Sequence, residues 1–179
     1  MSKLAQISRA KHAFNSNLLV IFINSLVFSK LYYCWSNTSA SNMQKLKLVQ
    51  NFATRIVSGA KKFEFEDITL SLKNLGWLPV KKQVYLRNAT FAFKCMMGCA
   101  LTYMTSQFGT RRQISDQTTR NSQELNILLF KTAAGQRSFH YRIVNLWIPL
   151  DKDLKLCKGL ANFKKTLKSR MLNKFLEQK

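Results

Sequence analysis

The residues able to do chemistry fall into two groups, a few carboxylates and thiols and a large excess of cations. There are 8 Asp and Glu against 29 Lys and Arg. Polymerases and nucleases need two or more carboxylates converging on metal ions, and acids are scarce here. Phe65-Glu66-Asp67 sits in the run Lys61-Lys62-Phe63-Glu64-Phe65-Glu66-Asp67 and reads as part of a charged, solvated connector. Asp151 and Asp153 flank Lys152 in a turn-like stretch and read as surface acids, not as a general acid–base pair. Cys34, Cys95, Cys99 and Cys157 form no C-x-x-C, and His12 and His140 are remote from them. A zinc site needs four ligands of fixed reach. The cysteines therefore read as small buried hydrophobes in a reducing compartment. No metal and no cofactor is expected. The glycine-rich phosphate loop, the dinucleotide fingerprint and the G-x-S-x-G elbow are all missing from the sequence. No catalytic residue and no small-molecule substrate are expected.

The cations are the remaining signal. Arg55, Lys61 and Lys62 form one cluster, and Lys81, Lys82 and Arg87 a second. Arg111, Arg112 and Arg120 lie in a polar stretch, followed by Arg137 and Arg142. Side chains of this kind hold a phosphate backbone without reading sequence. Any single one reads as a solvated charge; the summed imbalance carries the inference. The formal net charge of +21 must be met by an anion or the folded chain repels itself. Nucleic acid is the first partner this implies, and an acidic membrane surface the second.

These residues need elements to hold them. Apolar residues make up 46% of the chain, enough for a buried core. Leu18, Leu19, Phe22, Ile23, Leu26, Val27 and Leu31 recur at helical spacing. The apolar stretch from Leu18 to Phe28 is 11 residues long, short of the roughly 20 that cross a bilayer. Ser29-Lys30-Leu31-Tyr32 follows it in place of a cleavage site. It predicts a buried helix in an intracellular chain, cytoplasmic or nuclear, without signal peptide or membrane span. Ser41-Asn42-Met43-Gln44 suggests a capping box. The next helix carries Leu46, Val49, Ala53 and Ile56 on one face and stops at Gly59. A short helix from Ile68 to Leu75 closes at Gly76. Pro79 suits the first turn of a helix reaching Cys99, apolar nearly all round from Ala89 to Leu101 except at Lys94. Residues 109–124 read as a polar surface loop, Leu125–Phe130 as a short strand, and Arg137–Trp147 as a helix ended by Pro149 and Asp151. A last helix runs from Leu160 to Leu176 with Leu160, Phe163, Leu167 and Met171 inward. The expected fold is mainly α, with residues 1–108 a helical bundle-like region, 109–135 a loop with a possible strand, and 136–179 a C-terminal helical region.

Several ordered segments carry a resemblance. The run Leu48-Val49-Gln50-Asn51-Phe52-Ala53-Thr54-Arg55-Ile56-Val57-Ser58-Gly59 resembles the segment just after the polymerase core of non-LTR, jockey-like retrotransposon reverse transcriptases, with Gln50, Ala53 and Arg55 at the family's Gln, small residue and Arg. Ser29-Lys30-Leu31-Tyr32-Tyr33-Cys34 is similar to the family's preceding helix. Leu75-Gly76-Trp77-Leu78-Pro79-Val80 is similar to its leucine-x-tryptophan-leucine-proline motif. Phe93-Lys94-Cys95-Met96, Thr119-Arg120-Asn121, Gly135-Gln136-Arg137-Ser138-Phe139, Leu146-Trp147 and Phe163-Lys164 continue in the family's order. The resemblance covers roughly residues 12 to 175.

It implies the thumb and the region after it, a helical grip on a primer–template duplex of RNA or an RNA–DNA hybrid. The palm and fingers, with their metal-binding aspartates, would lie outside this chain. Phe65-Glu66-Asp67 is similar to the family's aromatic-x-Asp-Asp box but lacks its second aspartate in register. The sequence departs from the family in three places. Cys34 and Trp35 are adjacent, Trp147-Ile148-Pro149-Leu150-Asp151 lacks the family's Asn and final Pro, and Leu101 stands where proline is common. Two further readings stay open. One is an inactive structural remnant of a decayed mobile element, whose apolar faces once packed on the palm. The other is a basic membrane-associated helical protein anchored by residues 18–28.

Overall fold

The computed structural model describes residues 2–34, 38–60, 68–115, 120, 122 and 124–177. The fold is mainly α. In chain order the helices are α1 (Ser2–Ala10), α2 (Ser16–Ile23), α3 (Ser29–Cys34), α4 (Ala40–Ser58), α5 (Ile68–Asn74) and α6 (Val80–Met96). After them come α7 (Thr102–Thr105), α8 (Arg111–Ile114), α9 (Ala133–Gln136), α10 (Phe139–Trp147), α11 (Lys152–Lys155) and α12 (Leu160–Leu176). Two compact units emerge, residues 1–84 with 171–179, and residues 85–170.

In the first unit, the expected helix over the 18–31 stripe forms as three joined pieces. α2 passes through a π-helical turn, Asn24–Phe28, into α3. The wider turn bonds the Ser29 N–H to the Asn24 carbonyl, and the Ser25 hydroxyl donates to the Ile21 carbonyl at 2.8 Å. Asn15 starts α2 by accepting the Leu18 N–H at 2.9 Å, satisfying a donor that the first turn leaves unpaired. Leu4, Leu19, Ile23, Phe28 and Leu31 bury against Leu46, Ala53, Ile56 and Val57 of α4, Leu72 of α5, and Trp77, Val80 and Val84. Phe28 meets Trp77 edge-on at a centroid distance of 5.0 Å, a favoured aromatic geometry.

The helix stops behave as their residues dictate. Gly59 (φ 75°) and Gly76 (φ 62°) take the left-handed conformation that ends α4 and α5, as the sequence predicts. α6 ends at Met96, three residues before the expected Cys99, because Gly98 (φ 67°) closes it. The cap of α4 differs from expectation. Ser39, not Ser41, accepts the Asn42 N–H, at 3.4 Å. A cap needs extended backbone, which Ser39 has (ψ 163°), whereas Ser41 already lies inside the helix. The connector 61–67 lies outside the described residues.

The second unit has its own core of Leu86, Ala89, Ala92, Phe93 and Cys95 from α6, Ile143 and Val144 from α10, Leu150 and Leu154, and Phe163 and Leu167 from α12. Phe93 and Phe163 stack at 4.4 Å with their planes 24° apart. The apolar run expected from Ala89 to Leu101 is buried only as far as Cys95; Met97, Cys99 and Leu101 are exposed beyond the end of α6. The expected strand Leu125–Phe130 is, among the described residues, a single antiparallel bridge between Leu125 and Thr110. Antiparallel pairing with 126–130 needs the residues before Thr110, and these lead back through the turn at 106–107 to α7, so the ladder stops after the Asn126 N–H bond to the Gly109 carbonyl. After Thr110 the chain turns into α8, where the Gln113 side chain accepts the Thr110 N–H at 2.8 Å. Part of the expected polar loop is thus a helical turn, tied down by Arg111 N–H to the Glu124 carbonyl and Arg112 N–H to the Ser122 carbonyl. The C-terminal helices appear as α10 and α12, with the short α9 and α11 before each.

Candidate nucleic-acid interface

The eleven cations singled out from the sequence divide between the units. In the first, Arg55 lies in the last turn of α4, half-buried, with its Nε enclosed and unbonded to any described residue. Lys81 is exposed in the first turn of α6, and Lys82 beside it is half-buried. Lys61 and Lys62 lie outside the described residues.

In the second unit Arg87 is exposed on α6. Arg111 and Arg112 open α8, and two backbone bonds fasten Ser122 and Glu124 to them. Arg111 faces Glu124 at 3.8 Å, so part of its charge is already answered; Arg112 and Arg120 are exposed. Arg137 and Arg142 flank the start of α10. The Arg137 Nε–H donates to the Ala133 carbonyl and the Arg142 Nε–H to the Arg137 carbonyl, each at 3.2 Å. These bonds hold the two guanidinium groups in place. Burial lowers the Arg142 pKa from its ordinary value. Phe108 lies parallel to His140 at 5.3 Å and edge-on to Phe139 at 6.2 Å.

Two of the acids, Asp151 and Asp153, are engaged elsewhere. Arg170 of α12 binds Asp151 at 2.8 Å and reaches Asp153 at 3.8 Å, so these carboxylates anchor α11 to α12. The described residues contain no group of three or more His, Cys, Asp or Glu placed to hold a metal ion. Burial pushes the Cys95 thiol pKa up. Burial and, second, the Asp151 carboxylate push the Tyr85 hydroxyl up. Cys99 is exposed, contrary to its reading as a buried hydrophobe. Among the described residues no helix is long and apolar enough to cross a membrane.

Two features escaped the sequence reading. The first is the work of Gln50, which is almost wholly buried. Its Nε2 donates to the Leu78 carbonyl at 2.8 Å and its Oε1 accepts the Val80 N–H at 3.0 Å. The amide thus pins the Leu75–Val80 segment to α4 and satisfies one of the donors that the first turn of α6 leaves unpaired. The second is a cavity of about 560 Å3 in the same unit, between α4, α5, the start of α6 and Phe175. Gln44, Lys47 and Asn51 face it from α4, and Lys81 from α6. Their spacing on α4 (i, i+3, i+7) is a polar stripe on one helical face, visible in the sequence but indistinguishable there from a solvated one. Comparison of the chain with family models, with curated proteins and with solved structures finds no match.

Proposed function

We propose that this chain binds nucleic acid through the phosphate backbone, as a helical grip resembling the thumb and following region of a non-LTR retrotransposon reverse transcriptase, and that it does not polymerise DNA by itself. One observation carries the reading: a +21 chain in which Glu124, Asp151 and Asp153, three of the four acids among the described residues, each face an arginine, leaving Lys81, Arg112 and Arg120 exposed. Cations presented on helix ends and loops position a duplex without reading its bases. An RNA–DNA hybrid is the ligand the resemblance favours. Its affinity falls with salt at a log–log slope of roughly −0.9 per phosphate neutralised. Fluorescence anisotropy of a labelled hybrid across a salt series measures that slope, and replacing Arg112 and Arg120 with Ala lowers it by roughly 2. Absent or salt-independent binding refutes the proposal.

A second reading, a structural element without activity of its own, is favoured by a different observation. Phe14, just before α2, and Leu18, Ile21 and Leu26 along α2 and the π turn are 37%, 41%, 57% and 46% exposed. An apolar face of this kind drives self-association when nothing covers it. Light scattering after size exclusion separates the readings: a monodisperse monomer that binds the hybrid excludes the second.

A further inference from the structure

We propose that the cavity enclosed by α4, α5 and the start of α6 is a binding site for a phosphorylated nucleoside. Three observations meet there. First, the size: about 560 Å3 is far more than a phosphate ion needs and lies within the roughly 300–1,000 Å3 of small-ligand sites.

Second, the charge among the described lining residues has one sign. Lys47 and Lys81 line the cavity, and no acidic residue among the described residues does. The first turn of α6 opens onto it at Pro79, Val80 and Lys81. Gln50 takes the Val80 N–H, so the Lys81 and Lys82 N–H groups are the first-turn donors left without an intrahelical partner. The positive end of a 17-residue helix adds to the same field.

Third, one wall is aromatic and already cationic. Lys82 Nζ sits 4.9 Å from the Phe175 ring centroid and Lys73 Nζ 5.4 Å from it. The Lys82 ammonium is buried and has no hydrogen-bond partner among the described residues. Both ammonium groups thus sit behind Phe175, a lining residue, and add positive potential to that wall.

The lining is mixed, cationic and apolar, as a phosphorylated nucleoside is. Phosphate belongs with Lys47, Lys81 and the α6 amides. A base or ribose fits against Met43, Leu72 and Phe175, with Gln44, Asn51 and Thr69 able to donate and accept at its edges. The nucleotide can be free or can be the terminal residue of a strand. In the strand-end form the inference rests on the nucleic-acid binding proposed above.

Calorimetric titration of the full chain with adenosine 5′-monophosphate, adenosine and inorganic phosphate tests it. The monophosphate binds saturably and at least ten-fold more tightly than either part alone. Lys47→Ala, at an exposed position where the fold is not at stake, weakens it at least ten-fold. A 5′-phosphorylated octanucleotide that competes better than the monophosphate identifies a strand end as the ligand; one that competes less well identifies the free nucleotide. No saturable monophosphate binding, equal binding of inorganic phosphate, or an unaffected Lys47→Ala overturns the site. Binding of an unphosphorylated hybrid, measured separately, reports on the backbone grip alone, so either conclusion can fail without the other.

Discussion

At the scale of single residues, Gln50 shows how a polar side chain can be structural. Both ends of its amide are used inside the first unit, against the Leu78 carbonyl and the Val80 N–H. Gln50→Ala leaves both backbone groups buried without partners, a loss of about 1–3 kcal/mol for each such group. Urea denaturation should show the midpoint falling with an unchanged slope; an unmoved midpoint would mean the two bonds contribute nothing. The thiols offer a contrast set by environment. Burial holds the Cys95 pKa above the ordinary thiol range, while Cys99 is exposed. Alkylation at pH 8 therefore modifies Cys99 quickly and Cys95 only when the chain opens, which peptide mass spectrometry resolves. The linkage sign follows. A thiol whose pKa is raised in the folded state keeps its proton where the unfolded chain has lost it, so stability falls as pH climbs past the unfolded thiol range. Tyr85 acts in the same direction at higher pH. Melting temperatures that rise from pH 8 to pH 10 contradict both assignments.

At the scale of elements, local rules held where one residue decides the backbone and failed where a neighbour does. Gly59 and Gly76 stop their helices because positive φ suits glycine, and that much was legible directly. The cap of α4 was displaced by two residues because two serines satisfy the same rule, and the entry of the chain into the helix chose Ser39. The strand over Leu125–Phe130 was not formed because the residues that would pair with it, those before Thr110, come straight out of α7. Gly135 belongs to the same region for a reason no propensity carries. A Cβ there would lie 2.7 Å from the Cβ and ring of Phe130, whose ring meets Tyr141 edge-on at 6.0 Å. Gly135→Ala must displace Phe130 and loosen the start of α10, at about 1–3 kcal/mol. Thermal melting of the variant measures that, and a melting temperature equal to the parent's would show that Phe130 gives way freely.

At the scale of the whole molecule, charge dominates. A net +21 spread over 179 residues opposes compaction, and counterions relieve it. The melting temperature should therefore climb between about 20 mM and 500 mM salt, in the range where hybrid affinity falls; a flat or declining melt would show that self-repulsion is not a material term. The sequence by itself determined the helical class, the positions of the glycine stops and the cationic surplus. Each follows from composition or from a period of a few residues along one stretch of chain. Tertiary structure alone decided which cations stay exposed. It also placed Asp151 and Asp153 on Arg170, and gathered Lys47, Lys81 and Phe175 around one cavity. Those outcomes depend on contacts between residues tens of positions apart, where periodicity records which face a side chain occupies but not what lies opposite.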